Sequence, residues 1–172
     1  MHCRTVTALA LACSLASPAA AAWFARTDSG GKLVITGVAS NPDMTTTAVY
    51  LTCSGDKFDV EVLTVLSANE EELADYRGTK IVLGYETEKG EDRKMGLNGE
   101  PIISAGGALS IRATLDSRQS ALLYTSISRG NRLDVELIHP ELTDDKGIKK
   151  VFAAFWSTMT LALVKACPAL DK

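Results

Sequence analysis

The chain has almost no histidine, few thiols and no long apolar run, and each shortage removes a class of function. Of its two histidines, His2 and His139, the first lies in an N-terminal leader. A Ser-His-Asp or Cys-His device would therefore have to use His139. No Gly-x-Ser-x-Gly elbow accompanies it, and Leu137-Ile138-His139-Pro140 reads as a strand end with the histidine at a surface or edge position. One histidine is too few for a zinc or copper site, which draws on several nitrogen or sulfur ligands. Gly30-Gly31-Lys32 lacks the spacing of a phosphate loop and reads as a turn. Eighteen basic residues face 21 acidic ones, a formal net charge of −3, and the densest basic group is only Lys146, Lys149 and Lys150. That balance argues against nucleic acid or an anionic membrane surface as partner. No catalytic residue, metal ligand or cofactor is expected.

The N-terminus carries an export signal. Met1-His2-Cys3-Arg4 precedes an apolar run from Thr5 to Leu15, then the small residues Ala16 to Ala22. A short positive start, a brief apolar stretch and small residues at the cleavage point mark a secretory signal peptide. Ala20 and Ala22 suit the −3 and −1 positions, so residues 1–22 are the leader and cleavage falls before Trp23. The apolar run is far below the ~20 residues of a membrane-spanning helix. A second route is lipidation at Cys13, since Leu9-Ala10-Leu11-Ala12-Cys13 looks like a lipoprotein box. The protein is then periplasmic or secreted, or anchored through Cys13, and a membrane is met only through that lipid.

Removing the leader takes Cys3 and Cys13 with it and leaves two cysteines, Cys53 and Cys167. In an oxidising compartment one such pair closes as a structural disulfide. Residues 23–31 read as a flexible N-terminal segment, and residues 32–172 as a single β-rich domain of ordinary size. A hydrophobic fraction of 46% is enough for a proper core.

Strands dominate the mature chain. Ala48, Tyr50 and Thr52 alternate with Val49, Leu51 and Cys53, a period of two that puts Cys53 on the face of Val49 and Leu51. Ser54-Gly55-Asp56-Lys57 is hairpin-turn chemistry, after which Phe58, Val60 and Val62 alternate with Asp59, Glu61 and Leu63. Other strands are predicted at Lys32–Val38, Lys80–Thr87, Arg93–Leu97, Leu109–Leu115, Ala121–Ser128, Arg132–His139 and Lys149–Trp156, with Asp116-Ser117-Arg118 as a turn. Asn69–Arg77 is predicted helical, with Asn69 and Glu72 as a capping box and Gly78 as its stop. Ser157 can cap a last helix, Thr158–Cys167, stopped by Pro168. The fold class is mainly β: an antiparallel sandwich or half-open barrel with a short C-terminal helix stapled by the disulfide.

The order of these features resembles a loose group of bacterial envelope proteins. Beside the export signal and the strand ending in Cys53 stand Val82-Leu83-Gly84-Tyr85 before an acidic turn, Leu122-Leu123-Tyr124, Gly130, Leu133, Phe152, and Leu161-Ala162-Leu163-Val164-Lys165-Ala166-Cys167. The chain is similar to type VI secretion accessory proteins of the VasI kind, and more distantly to invasion-associated locus B proteins. The resemblance implies a small non-catalytic β-rich domain with one cysteine pair, Cys53 and Cys167, in a structural role.

The expected function is an exported interaction or accessory protein of the bacterial envelope, serving a secretion or envelope assembly, with another envelope or secretion protein as partner. Two alternatives stand beside it. Ser104-Ala105-Gly106-Gly107-Ala108 is a small-residue loop that lets a backbone approach another surface closely, as in inhibitors of lysozyme or another periplasmic hydrolase; its plainer reading is a flexible strand connector. The plentiful acids could support a carboxylate-based hydrolase, although Asp59 and Glu61 read as the exposed face of a strand and Asp144-Asp145 as turn residues.

Overall fold

Alternating side chains place one face of each strand in the core and the other outside it. The computed structural model describes residues 22–40, 46–54, 57–87, 89–129, 133–139, 151–153 and 167. Its strands are β1 (Ala22–Thr27), β2 (Leu33–Ser40), β3 (Thr46–Ser54), β4 (Lys57–Ser67), β5 (Lys80–Glu86), β6 (Asp92–Asn98), β7 (Glu100–Ile103), β8 (Ala108–Leu115), β9 (Leu133–Ile138) and β10 (Val151–Ala153). They form two antiparallel sheets, ordered β1-β2-β3-β4-β8-β7 and β10-β9-β5-β6. Neither sheet closes on itself, so the fold is an open sandwich rather than a barrel.

Residues from both inner faces share one buried cluster. Ile35, Val49, Leu51, Phe58, Val60 and Ile111 from the larger sheet meet Ile81, Leu83, Leu97 and Val135 from the smaller. Each such side chain contributes roughly 1.5–3 kcal/mol by leaving water. Cys53 lies on the face of Val49 and Leu51, as its spacing predicts, and bonds Cys167 at an S–S distance of 2.03 Å. Both cysteines are buried in the cluster. The bridge joins positions 114 residues apart, so it ties the end of β3 to the C-terminal segment. The hairpin at Ser54 also forms, with Ser54 opposite Lys57.

Three other hairpins are closed by one recurring turn. Asp28, Thr87 and Ser104 each hold a turn in which the residue three positions on is a glycine at positive φ: Gly31 (76°), Gly90 (77°) and Gly107 (77°). In each, that glycine's N–H donates back to the first residue's carbonyl, and the first residue's N–H donates to the carbonyl four positions on. The side-chain oxygen of the first residue also accepts from the backbone N–H four positions on, in Lys32, Glu91 and Ala108. This is a type I turn with a glycine bulge, and only glycine sits there without strain.

The structure corrects several expectations. Residues 23–31 are not a flexible segment, because Ala22–Thr27 pairs along its whole length with β2 and residues 28–32 form the first of those turns. The segment predicted as a strand, Ala121–Ser128, lies in helix α1 (Ser117–Arg129). Its start is set by a reciprocal cap: Gln119 N donates to Asp116 Oδ1 at 2.8 Å, and Asp116 N donates to Gln119 Oε1 at 3.0 Å. Ser120 and Leu123, one turn apart, are then buried together. The predicted helix Asn69–Arg77 is a shorter 3-10 turn, Glu72–Tyr76. Its capping box is as read, with Glu72 N donating to Asn69 Oδ1 and Asn69 N to Glu72 Oε2. Strand β7 has no counterpart among the predicted strands. The leader up to Ala21, Cys13 and the C-terminal helix before Cys167 lie outside the described residues, as do Asp144, Asp145 and the lysines from 146 to 150.

Candidate functional site

The outer face of the six-stranded sheet is organised in rows that run across the strands. Strand register sets Arg26, Val34, Thr52, Asp59 and Thr114 side by side. The next row is Phe24, Thr36, Tyr50, Glu61, Arg112 and Glu100, and the third runs Val38, Ala48, Leu63, Ser110 and Ile102. The face therefore grades from polar, through aromatic and charged, to apolar.

A groove of about 330 Å³ crosses this face. It is lined by Arg26, Val34, Tyr50, Thr52, Glu61 and Arg112, with Ile102, Ile103, Ser104 and Ala105 at its far side. Arg26 belongs to β1 and Ile102 to β7, the two opposite edges of the sheet. Strands lie about 4.8 Å apart, so a flat sheet would hold those edges roughly 24 Å from each other across five intervals. Sharing one groove requires the sheet to be bent across its width.

Charge within the groove is unevenly paired. Arg112 donates to Glu61 Oε2 through Nη2 at 2.7 Å and through Nε at 3.1 Å. That fixes its guanidinium by a charge-assisted pair. In the adjoining row Thr114 donates to Asp59 Oδ1 at 2.5 Å. These contacts engage the two acids, Asp59 and Glu61, that share the strand face. Arg26 is exposed and makes no ion pair or side-chain hydrogen bond among the described residues. In the apolar row Ser110 is fully buried, and its hydroxyl has no partner among the described residues.

The Ser104–Ala108 loop is the turn between β7 and β8. It is a tight glycine-bulge turn, not a flexible connector, and it is held further by Ala68 N donating to the Gly107 carbonyl at 3.4 Å. Ser104 and Ala105 line the groove, while Ala105, Gly106 and Gly107 are exposed at the tip.

A second depression of about 410 Å³ lies between the 3-10 turn and β7, lined by Glu70, Leu73, Ala74, Arg77, Gly78, Gly99, Glu100 and Pro101. Gly99 is required here: a Cβ would collide with Ile111 Cγ2 and stand 2.8 Å from the Thr79 carbonyl oxygen. Behind this depression His139 is buried, not at the surface as its sequence context suggests, with Nε2 3.1 Å from the Arg77 carbonyl oxygen.

Among the described residues no group of three or more His, Cys, Asp or Glu side chains could hold a metal ion. No helix among them is long and apolar enough to cross a membrane. Arg26, Tyr50 and Arg112 are not singled out by the sequence. The outward positions of the period-two pattern mark Tyr50 and Arg112, but Arg26 falls in a segment without a clear strand signal. The chain matches no family model, no curated protein and no solved structure.

Proposed function

We propose that the chain is an exported, non-catalytic interaction module of the bacterial envelope, serving a secretion or envelope assembly through the outer face of its six-stranded sheet. The observation that carries the proposal is the groove itself, where an arginine with no ion pair among the described residues, a fixed arginine–glutamate pair and a tyrosine converge from separate strands. Aromatic and arginine side chains together are the usual anchors of a protein interface. The buried Cys53–Cys167 bridge supports an oxidising compartment, and the resemblance to VasI-type accessory proteins points the same way. Crosslinked affinity capture from intact cells tests the proposal when the protein is compared with its Arg26→Glu variant. An envelope or secretion protein captured by the first and lost by the second supports it. Equal capture by both puts the interface elsewhere.

The exposed tip at Ala105, Gly106 and Gly107 favours one second reading, inhibition of lysozyme or another periplasmic hydrolase by insertion of the Ser104–Ala108 turn. A lysozyme assay at micromolar protein decides this for lysozyme, because an inhibitor acting through its tip must slow the enzyme there.

A further inference from the structure

Resting on the interaction reading above, we infer that the groove takes a carboxylate carried by an extended peptide, with Arg26 as its anchor. The first ground is charge. Among the lining residues Arg26 and Arg112 face a single carboxylate, Glu61. Glu100 stands opposite Arg112, and Asp59, in the row of Arg26, accepts from Thr114, so the charge left without an ion pair inside the groove, among the described residues, is that of Arg26. Glu61 occupies Nε and Nη2 of Arg112, which leaves Nη1 open and the guanidinium fixed in orientation. Arg26 has its whole fork free among the described residues. A planar carboxylate matches that fork in two parallel hydrogen bonds.

The second ground is the backbone of β7. Ser104 N donates to the Ala108 carbonyl, which marks positions 104 and 108 as a hydrogen-bonded pair. Antiparallel pairs alternate, so Ile102 opposite Ser110 is the next such pair. Ile103, opposite Leu109, then turns its N–H and carbonyl away from β8, toward the edge of the sheet at which no described strand pairs. An extended peptide can use that edge as an added strand. Pro101 has no N–H to offer and closes the edge beyond it, so the added strand is short. A volume of about 330 Å³ is at the small end of ligand sites, which suits the last residue or two of such a strand. Val34, Tyr50 and Ile102 supply its apolar wall.

The test uses the disulfide-bonded protein and three probes: a randomised hexapeptide pool with free C-terminal carboxylates, the same pool as amides with one internal Asp or Glu, and glucuronate. Binding is read from amide shift changes at Arg26, Tyr50, Ile103 and Arg112. The free-acid pool alone moving these signals supports a chain terminus as the carboxylate source, and both pools moving them supports an acidic side chain. Arg26→Ala is expected to weaken binding about tenfold, the usual loss for a hydrogen bond to a charged group, while Arg26→Lys weakens it less. Glu61→Gln, which frees Arg112, is expected to tighten it. Silence of both pools at millimolar concentration overturns the inference, as does binding of glucuronate alone or an Arg26→Ala variant of unchanged affinity. If cellular capture still depends on Arg26 while both peptide pools fail, the inference falls and the interaction reading stands.

Discussion

The two faces of the six-stranded sheet come from the same strands and the same alternation, yet they carry different side chains. On the inner face Ile35, Val49, Leu51, Phe58 and Val60 are wholly buried and pack against the second sheet. On the outer face two of the three rows mix charge, hydroxyl and hydrocarbon, the third is apolar but for Ser110, and Phe24 is 58% exposed. Nothing in the backbone distinguishes the faces; only side-chain chemistry does. Stability should therefore reside on one face and recognition on the other. Substitutions chosen one face at a time can separate the two.

The largest effect is expected inside. Phe58→Ala removes the largest fully buried side chain of the core and should cost about 3–5 kcal/mol, seen as a lower denaturant midpoint at unchanged slope. Next comes the staple. Cys167→Ser should cost roughly 2–5 kcal/mol under oxidising conditions, and reductant should lower the melting temperature of the unmodified protein correspondingly. Equal melting temperatures with and without reductant would show that the inner face holds without the bridge.

How much of the fold is legible in the sequence depends on the range of each interaction. The cap at Asn69 and Glu72, the hairpin at Ser54 and the buried side of Cys53 rest on neighbours a few residues apart, and alternation or turn chemistry reveals them. Helix α1 is hidden although its cap, Asp116 to Gln119, is equally local. Tyr124, Thr125 and Ile127 favour strand by propensity, and they outweigh the cap when the sequence is read alone. Strand β7 is hidden because Pro101 argues against a strand, and an edge with its missing N–H turned outward is where a proline is tolerated. The candidate site is the least legible. Arg112 and Glu61 stand 51 residues apart, and their meeting depends on β4 pairing with β8, a partner that no short-range signal names.

On the outer face the effects should shrink. Arg112→Ala leaves the Glu61 side chain, only 15% exposed, without its partner. A loss of up to about 1 kcal/mol is expected, in the upper range for a partly screened pair. Glu61→Gln in the same background should recover part of it, because the abandoned charge is gone. A double-mutant cycle measured by denaturant unfolding gives the coupling directly, and a value near zero would make the pair an arrangement for binding alone.

Arg26→Ala sharpens the comparison most, since its expected effect on stability is the smallest. The side chain is exposed on an edge strand and holds no ion pair or side-chain hydrogen bond among the described residues. Its removal should leave unfolding free energy within about 0.5 kcal/mol of the parent, as for other surface changes without such features. Cellular capture through the groove should nevertheless fall. If the variant instead unfolds as readily as Arg112→Ala, the guanidinium contributes to holding the bent sheet together. The outer face would then be structural as well, and a loss of capture could not be assigned to a missing contact.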